Sequence, residues 1–193
     1  MNTEIQDILR GIRKEFFAFR NGIVADKLRK AGDPHPMIMG CLLVDIQAIA
    51  MRLREEIADN DKLRALAEQL WGDTNSRECR LAAPMLYPAH EMTQEKALLW
   101  CGTVETVEVA DNLCHKLLRH LGEAPLIYKE LIKRGRPTLT RYTGYRLLRN
   151  LLAMGRMQPA AALKAALEAK SATATGPLAP LLKDILEDLA ENA

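Results

Sequence analysis

Apolar residues that return every three or four positions, broken at short intervals by glycine, proline, asparagine or aspartate, constrain this chain more than any other feature. Ile5, Ile8, Leu9, Ile12 and Phe16 place one apolar stripe on a first helix that opens at Thr3 and Gln6, a capping-box pair, and runs to about Phe19. Asn21-Gly22 interrupts it, a short helix spans about Val24 to Ala31, and Gly32-Asp33-Pro34-His35-Pro36 is a loop. Leu42, Leu43, Ile46, Ile49, Ala50, Leu53 and Ile57 form the next stripe, ended by Asp59-Asn60-Asp61. Hydrophobic residues make up 48% of the chain but aromatic ones only 5%, which favours helices built from Leu, Ala, Met, Lys, Arg and Glu over sheets.

The same reading continues to the end. Helices are predicted from Lys62 to Trp71, over Cys79 to Leu86 after a cap in Asp73-Thr74-Asn75, and from Thr93 to Trp100. Further helices are predicted from Thr103 to Leu121, Pro125 to Ile132, Leu139 to Met154, Pro159 to Lys170 and Leu178 to Leu189. About eleven helices and no strand are expected, in one domain over residues 1–193 with a flexible linker at 171–176 before the last helix. Short helices with short connections fit a bundle or a solenoid, and periodicity alone does not separate the two.

The first ten residues carry polar groups at every turn, and no segment has the run of apolar residues that spans a bilayer, so a cytoplasmic protein without membrane association is expected. Cys41, Cys79, Cys101 and Cys114 are widely spaced without a CxxC pair and are read as buried, reduced thiols. His115 beside Cys114 is not a metal pair, because adjacent helical side chains diverge by about 100°. Neither a metal nor a cofactor is expected.

Charge is distributed unevenly. Between Lys116 and Arg156 stand ten Lys or Arg and two acids, a net +8 in a chain whose total is +2, so the remainder carries −6. A basic patch of this kind suits phosphate. Lys133, Arg134, Arg136, Arg141, Arg146 and Arg149 are the candidate DNA-binding residues, the last three on one helix where guanidinium forks match phosphate oxygens. Arg134-Gly135-Arg136-Pro137 also matches the core of an AT-hook, which lays arginines into a narrow minor groove, although a basic interhelix turn accounts for it equally.

The stretch Leu66-Ala67-Glu68-Gln69-Leu70-Trp71 followed by Ser76-Arg77-Glu78-Cys79-Arg80-Leu81-Ala82 resembles the signature of the alkylpurine DNA glycosylase D family. Asn21 to Ala25, Thr103 to Leu113 and Arg141-Tyr142-Thr143-Gly144-Tyr145-Arg146 are similar in kind, and together these stretches cover roughly residues 16 to 156. The resemblance implies an all-α solenoid of stacked HEAT-like antiparallel helix pairs, whose basic concave surface receives duplex DNA. It further implies excision of cationic N3- or N7-alkylated purines without full flipping of the base. In active members a carboxylate follows a tryptophan by one helical turn, and the pair stabilises a cationic lesion and an oxocarbenium-like transition state.

Asp111 takes the carboxylate position, but Val107 stands one turn before it and Thr106 beside that, and no tryptophan follows Trp100. The family arginine falls on Arg141, or, with a one-residue shift, leaves Tyr142 in its place. Glu105, Glu108 and Asp111 at three-residue steps would share one helix face. The expectation is a HEAT-like DNA-binding relative of the alkylation repair glycosylases with degraded base excision. The alternatives are an active N-glycosylase using Asp111 with Tyr142 or Tyr145, and a scaffold whose groove binds another protein.

Overall fold

The computed structural model describes residues 3–133 and 135–191. Eleven α-helices and two short 3-10 turns form the described chain, and its β-structure is one isolated parallel bridge between Met37 and Ser76. The expected all-α class and helix number stand. The contacts divide the chain into two compact units, Met1–Met92 and Thr93–Ala193.

The first unit holds α1 (Thr3–Ala18), α2 (Gly22–Lys30), α3 (Leu43–Glu56), α4 (Asn60–Gly72) and α5 (Arg77–Leu86). Asn21 both stops α1 and starts α2, since its side chain accepts the N–H groups of Ile23 and Val24. Asp59 and Ser76 cap α4 and α5 in the same way, so the α5 cap is Ser76 rather than the preceding Asp73-Thr74-Asn75. Both α3 and α4 lie against α5, and α1 packs on α3 and α4. Every residue of α5 is buried, including Arg77, Glu78 and Arg80.

Those three charged side chains explain the motif they belong to. The Glu78 carboxylate accepts the backbone N–H groups of Met39 at 3.1 Å, Gly40 at 2.9 Å and Cys41 at 3.3 Å, and the guanidinium of Arg77 at 3.0 Å. Arg77 also donates to the Cys41 carbonyl at 3.2 Å. Arg80 donates to the Trp71 carbonyl and lays its guanidinium 3.7 Å from the centre of the Trp71 ring. Trp71 is 5% exposed, the buried position its place in the Leu66, Leu70, Trp71 cluster requires. The motif therefore fastens the loop before α3 and the end of α4 onto a helix with no wet face.

Gly40 is held at φ +75, and a Cβ there would stand 2.2 Å from the Asn21 carbonyl oxygen. Only glycine meets both constraints.

The second unit holds α6 (Gln94–Gly102), α7 (Val107–Lys116), α8 (Ala124–Leu131), α9 (Thr138–Ala153), α10 (Ala161–Ser171) and α11 (Leu178–Glu191). Central in it is α9, which contacts α6, α7, α8 and α11. Gly144 allows this, because a Cβ there would come within 2.9 Å of side-chain atoms of Leu131 and Ile132. The segment Ala172–Pro177 connects α10 to α11 through hydrogen-bonded turns, and the two helices pack together. No described helix is long and apolar enough to cross a membrane.

Removing the Glu78 carboxylate takes away the acceptor shared by the backbone amides of Met39, Gly40 and Cys41 and the charge partner of the buried Arg77 guanidinium. Glu78→Ala is expected to cost about 3 to 5 kcal/mol of unfolding free energy in urea denaturation. Gly40→Ala should destabilise through the same loop, whereas an exposed control such as Lys14→Ala should change stability by less than about 0.5 kcal/mol.

Candidate functional site

Asp111 lies in the second turn of α7. The helix begins at Val107 because the Thr106 hydroxyl accepts the Val109 N–H at 3.1 Å, four residues later than the predicted start at Thr103. It ends at Lys116, where Leu117 turns to φ −129 and ψ −64, and a 3-10 turn covers Leu118–His120. The predicted helix over Thr103 to Leu121 is thus shortened at both ends. Glu105 precedes the helix, so the three-carboxylate face reduces to Glu108 and Asp111.

Across from α7, Tyr142 and Arg146 sit one turn apart on α9. The Tyr142 hydroxyl donates to Asp111 Oδ1 at 2.9 Å. Arg146 Nε lies 3.3 Å from the same oxygen as an ion pair, without the alignment of a hydrogen bond. Arg146, not Arg141, therefore stands beside the carboxylate: five helical residues place Arg141 about 140° around α9. Burial, and next the neighbouring Asp111, push the Tyr142 phenol far above its ordinary range.

These groups line an open pocket of about 260 Å³ with Val107, and α11 contributes Pro180 and Asp184 to it. Both tryptophans lie elsewhere: Trp71 is under Arg80, and Trp100 is 4% exposed in the packing of its own unit. Asp111 has a tyrosine hydroxyl and a guanidinium as neighbours where the resemblance places indole rings. Among the described residues no group of three or more His, Cys, Asp or Glu is placed to hold a metal ion.

The basic residues singled out from the sequence do not form one free row. Lys133 pairs with Glu130 at 2.6 Å. Arg149 is gripped from α11 by Asp184 and Asp188, each at 2.7 Å, and these bonds hold its guanidinium charged. Arg136 is exposed, in a turn where its N–H donates to the Lys133 carbonyl and Gly135 takes φ +87. Arg141 is half-buried with its Nε lacking a hydrogen-bond partner. Arg134, and with it half of the AT-hook pair, lies outside the described residues.

Sequence reasoning missed the acids of α11. Asp184 and Asp188 stand one turn apart, a legible spacing, but their partner lies 35 residues or more away along the chain and is set by how α11 folds back on α9.

Burial also raises the phenols of Tyr145 and of Tyr128, the latter to about 12. A raised acid pKa leaves stability untouched below the unfolded value near 10 and removes it as pH climbs through the folded value, since the unfolded chain releases its protons first. Stability should therefore decline above about pH 10. Tyr142→Phe should cost about 1 kcal/mol at neutral pH by leaving Asp111 without its donor, yet show a shallower alkaline decline. Denaturant titrations across pH check both effects.

The sequence profile of a family described as DNA alkylation repair enzyme matches residues 12–136, nearly two thirds of the chain, from the middle of α1 to the turn before α9. No curated protein and no solved structure matches. The matched span contains the Arg77-Glu78-Arg80 network and Asp111, and leaves Tyr142, Arg146 and all of α11 beyond it. By this match the chain belongs to the DNA alkylation repair enzyme family.

Proposed function

We propose that the protein is a DNA-binding member of its family in which excision of cationic alkylpurines is absent or very weak, and that its helices stack as HEAT-like pairs. The observation that carries this reading is the surrounding of Asp111: a carboxylate at an open pocket, with Tyr142 donating to it, Arg146 3.3 Å away and Val107 alongside. A carboxylate near a breaking glycosidic bond lowers the barrier by facing the positive charge that develops on the sugar. Here a guanidinium already offsets part of that negative charge, and Val107 has no π face to add to it. Each missing cation-aromatic contact forgoes about 0.5 to 2 kcal/mol, roughly three- to thirtyfold in rate if it acts in the transition state.

DNA binding is supported by family membership and by the +8 segment from Lys116 to Arg156. HEAT-like pairing is supported by the mutual packing of α4 with α5, α8 with α9 and α10 with α11. A second reading, an active N-glycosylase, draws on Tyr142, because its hydroxyl bond brings an aromatic residue to the carboxylate after all.

Single-turnover release of N7-methylguanine from duplex DNA separates the two. Release at the spontaneous rate is expected for the wild type and for Asp111→Asn. Release well above background that Asp111→Asn abolishes would establish Asp111 as a catalytic residue and overturn the proposal.

Binding to undamaged duplex should weaken steeply with salt, because each neutralised phosphate releases counterions. Replacing Arg136 and Arg141 together should weaken it whatever the sequence. Salt-independent association would instead favour a protein partner.

A further inference from the structure

One basic cluster in the second unit lies outside the set singled out from the sequence. His115 follows Asp111 by one turn on α7, Arg119 and His120 belong to the 3-10 turn that ends it, and Arg156 comes just after α9. Arg119 Nη1 is 3.1 Å from Nδ1 of His115, and its Nε donates to Nε2 of His120 at 3.2 Å. A guanidinium has no acceptor, so both imidazole nitrogens must be accepting and both rings are neutral in this arrangement. Arg156 donates to the carbonyls of Arg119, Leu121 and Gly122, which closes the open end of the turn and carries a second fixed positive charge to it.

The groups facing these imidazoles are cationic. His115 faces Arg119 and His120 from the turn, Lys116 from its own helix and Arg146 from α9, while His120 faces Arg119 and Arg156. The nearest acid along α7 is Asp111, already engaged by Tyr142 and Arg146. Among the described residues no carboxylate pairs with Arg119, Arg156, His115 or His120, in contrast to Lys133 and Arg149. The cluster is also reachable: His120 is exposed, and His115, Arg119 and Arg156 are partly so.

Given the DNA-binding reading above, we infer that His115, Arg119, His120 and Arg156 form a proton-linked site for a backbone phosphate of the DNA. Without an anion, burial and then the adjoining Arg119 keep both imidazoles below their ordinary titration range. A phosphate seated on the cluster supplies the missing negative charge. Each imidazole then takes a proton from solvent, ceases to accept from Arg119 and donates its own N–H to a phosphate oxygen, while Arg119 turns its freed donors to the same group. Binding thus takes up protons and tightens as pH falls.

The test is fluorescence anisotropy of the full chain with a short labelled duplex at about pH 6 and about pH 7.5, at constant ionic strength. The wild type is expected to bind roughly three- to tenfold more tightly at the lower pH. His115→Gln/His120→Gln keeps an acceptor for Arg119 at each position but cannot titrate, and should hold the affinity seen at the higher pH while losing the pH dependence. Arg119→Gln should weaken binding at both pH values, with circular dichroism melts confirming that each variant is folded. Wild-type binding that ignores pH, or a pH dependence that survives in the double variant, would overturn the phosphate site and leave DNA binding standing. Absence of wild-type binding at either pH would sink both.

Discussion

A single buried carboxylate, Glu78, organises the first unit. Three consecutive backbone amides and one guanidinium converge on it, so the loop over Met39 to Cys41 is fastened to α5 by the side chain of one residue. A carboxylate so deeply buried is tolerated only because its lone pairs are taken up by N–H donors and a charged partner. That requirement sets the local sequence: glycine at position 40, where Asn21 and Ala25 leave no room for a Cβ, and arginine at position 77, which bonds both the carboxylate and the Cys41 carbonyl. Arg80 serves the other side of α5 by covering the Trp71 ring.

In the second unit the comparable role falls to α9, whose Gly144 lets α8 approach and whose next face carries Tyr142 and Arg146 to Asp111. The same helix extends Arg149 to the two aspartates of α11. One helix thus both completes the core and assembles the polar site.

Net charge along the chain proved a poor guide to free positive charge in space. Lys133, Arg146 and Arg149 each face a carboxylate, and two of the acids responsible come from α11, well outside the basic stretch. The cluster around Arg119 is the converse case, since histidines do not enter a formal charge count and their partners are other cations. Coulomb energies depend on separation in space, so a tally by sequence position misjudges both cases.

The sequence by itself determined the helical class, the number of helices and most of their limits, because periodicity, capping residues and glycine or proline stops act within a few residues of one another. It also determined the burial of Trp71 and the break at Asn21, which follow from the same local rules. Where a helix could end in more than one way, as between Thr103 and Leu121, the choice lay with the Thr106 hydroxyl and with the packing of Leu117 and Leu118, both fully buried. The tertiary structure alone decided which arginine meets Asp111, what holds Arg149 and why charged residues lie inside α5. The pairings of Asp111 with Tyr142 and Arg146, of Arg149 with Asp184 and Asp188, and of Glu78 with the Met39 to Cys41 loop join residues about thirty or more positions apart, and their distance is set by how helices pack rather than by any spacing in the chain.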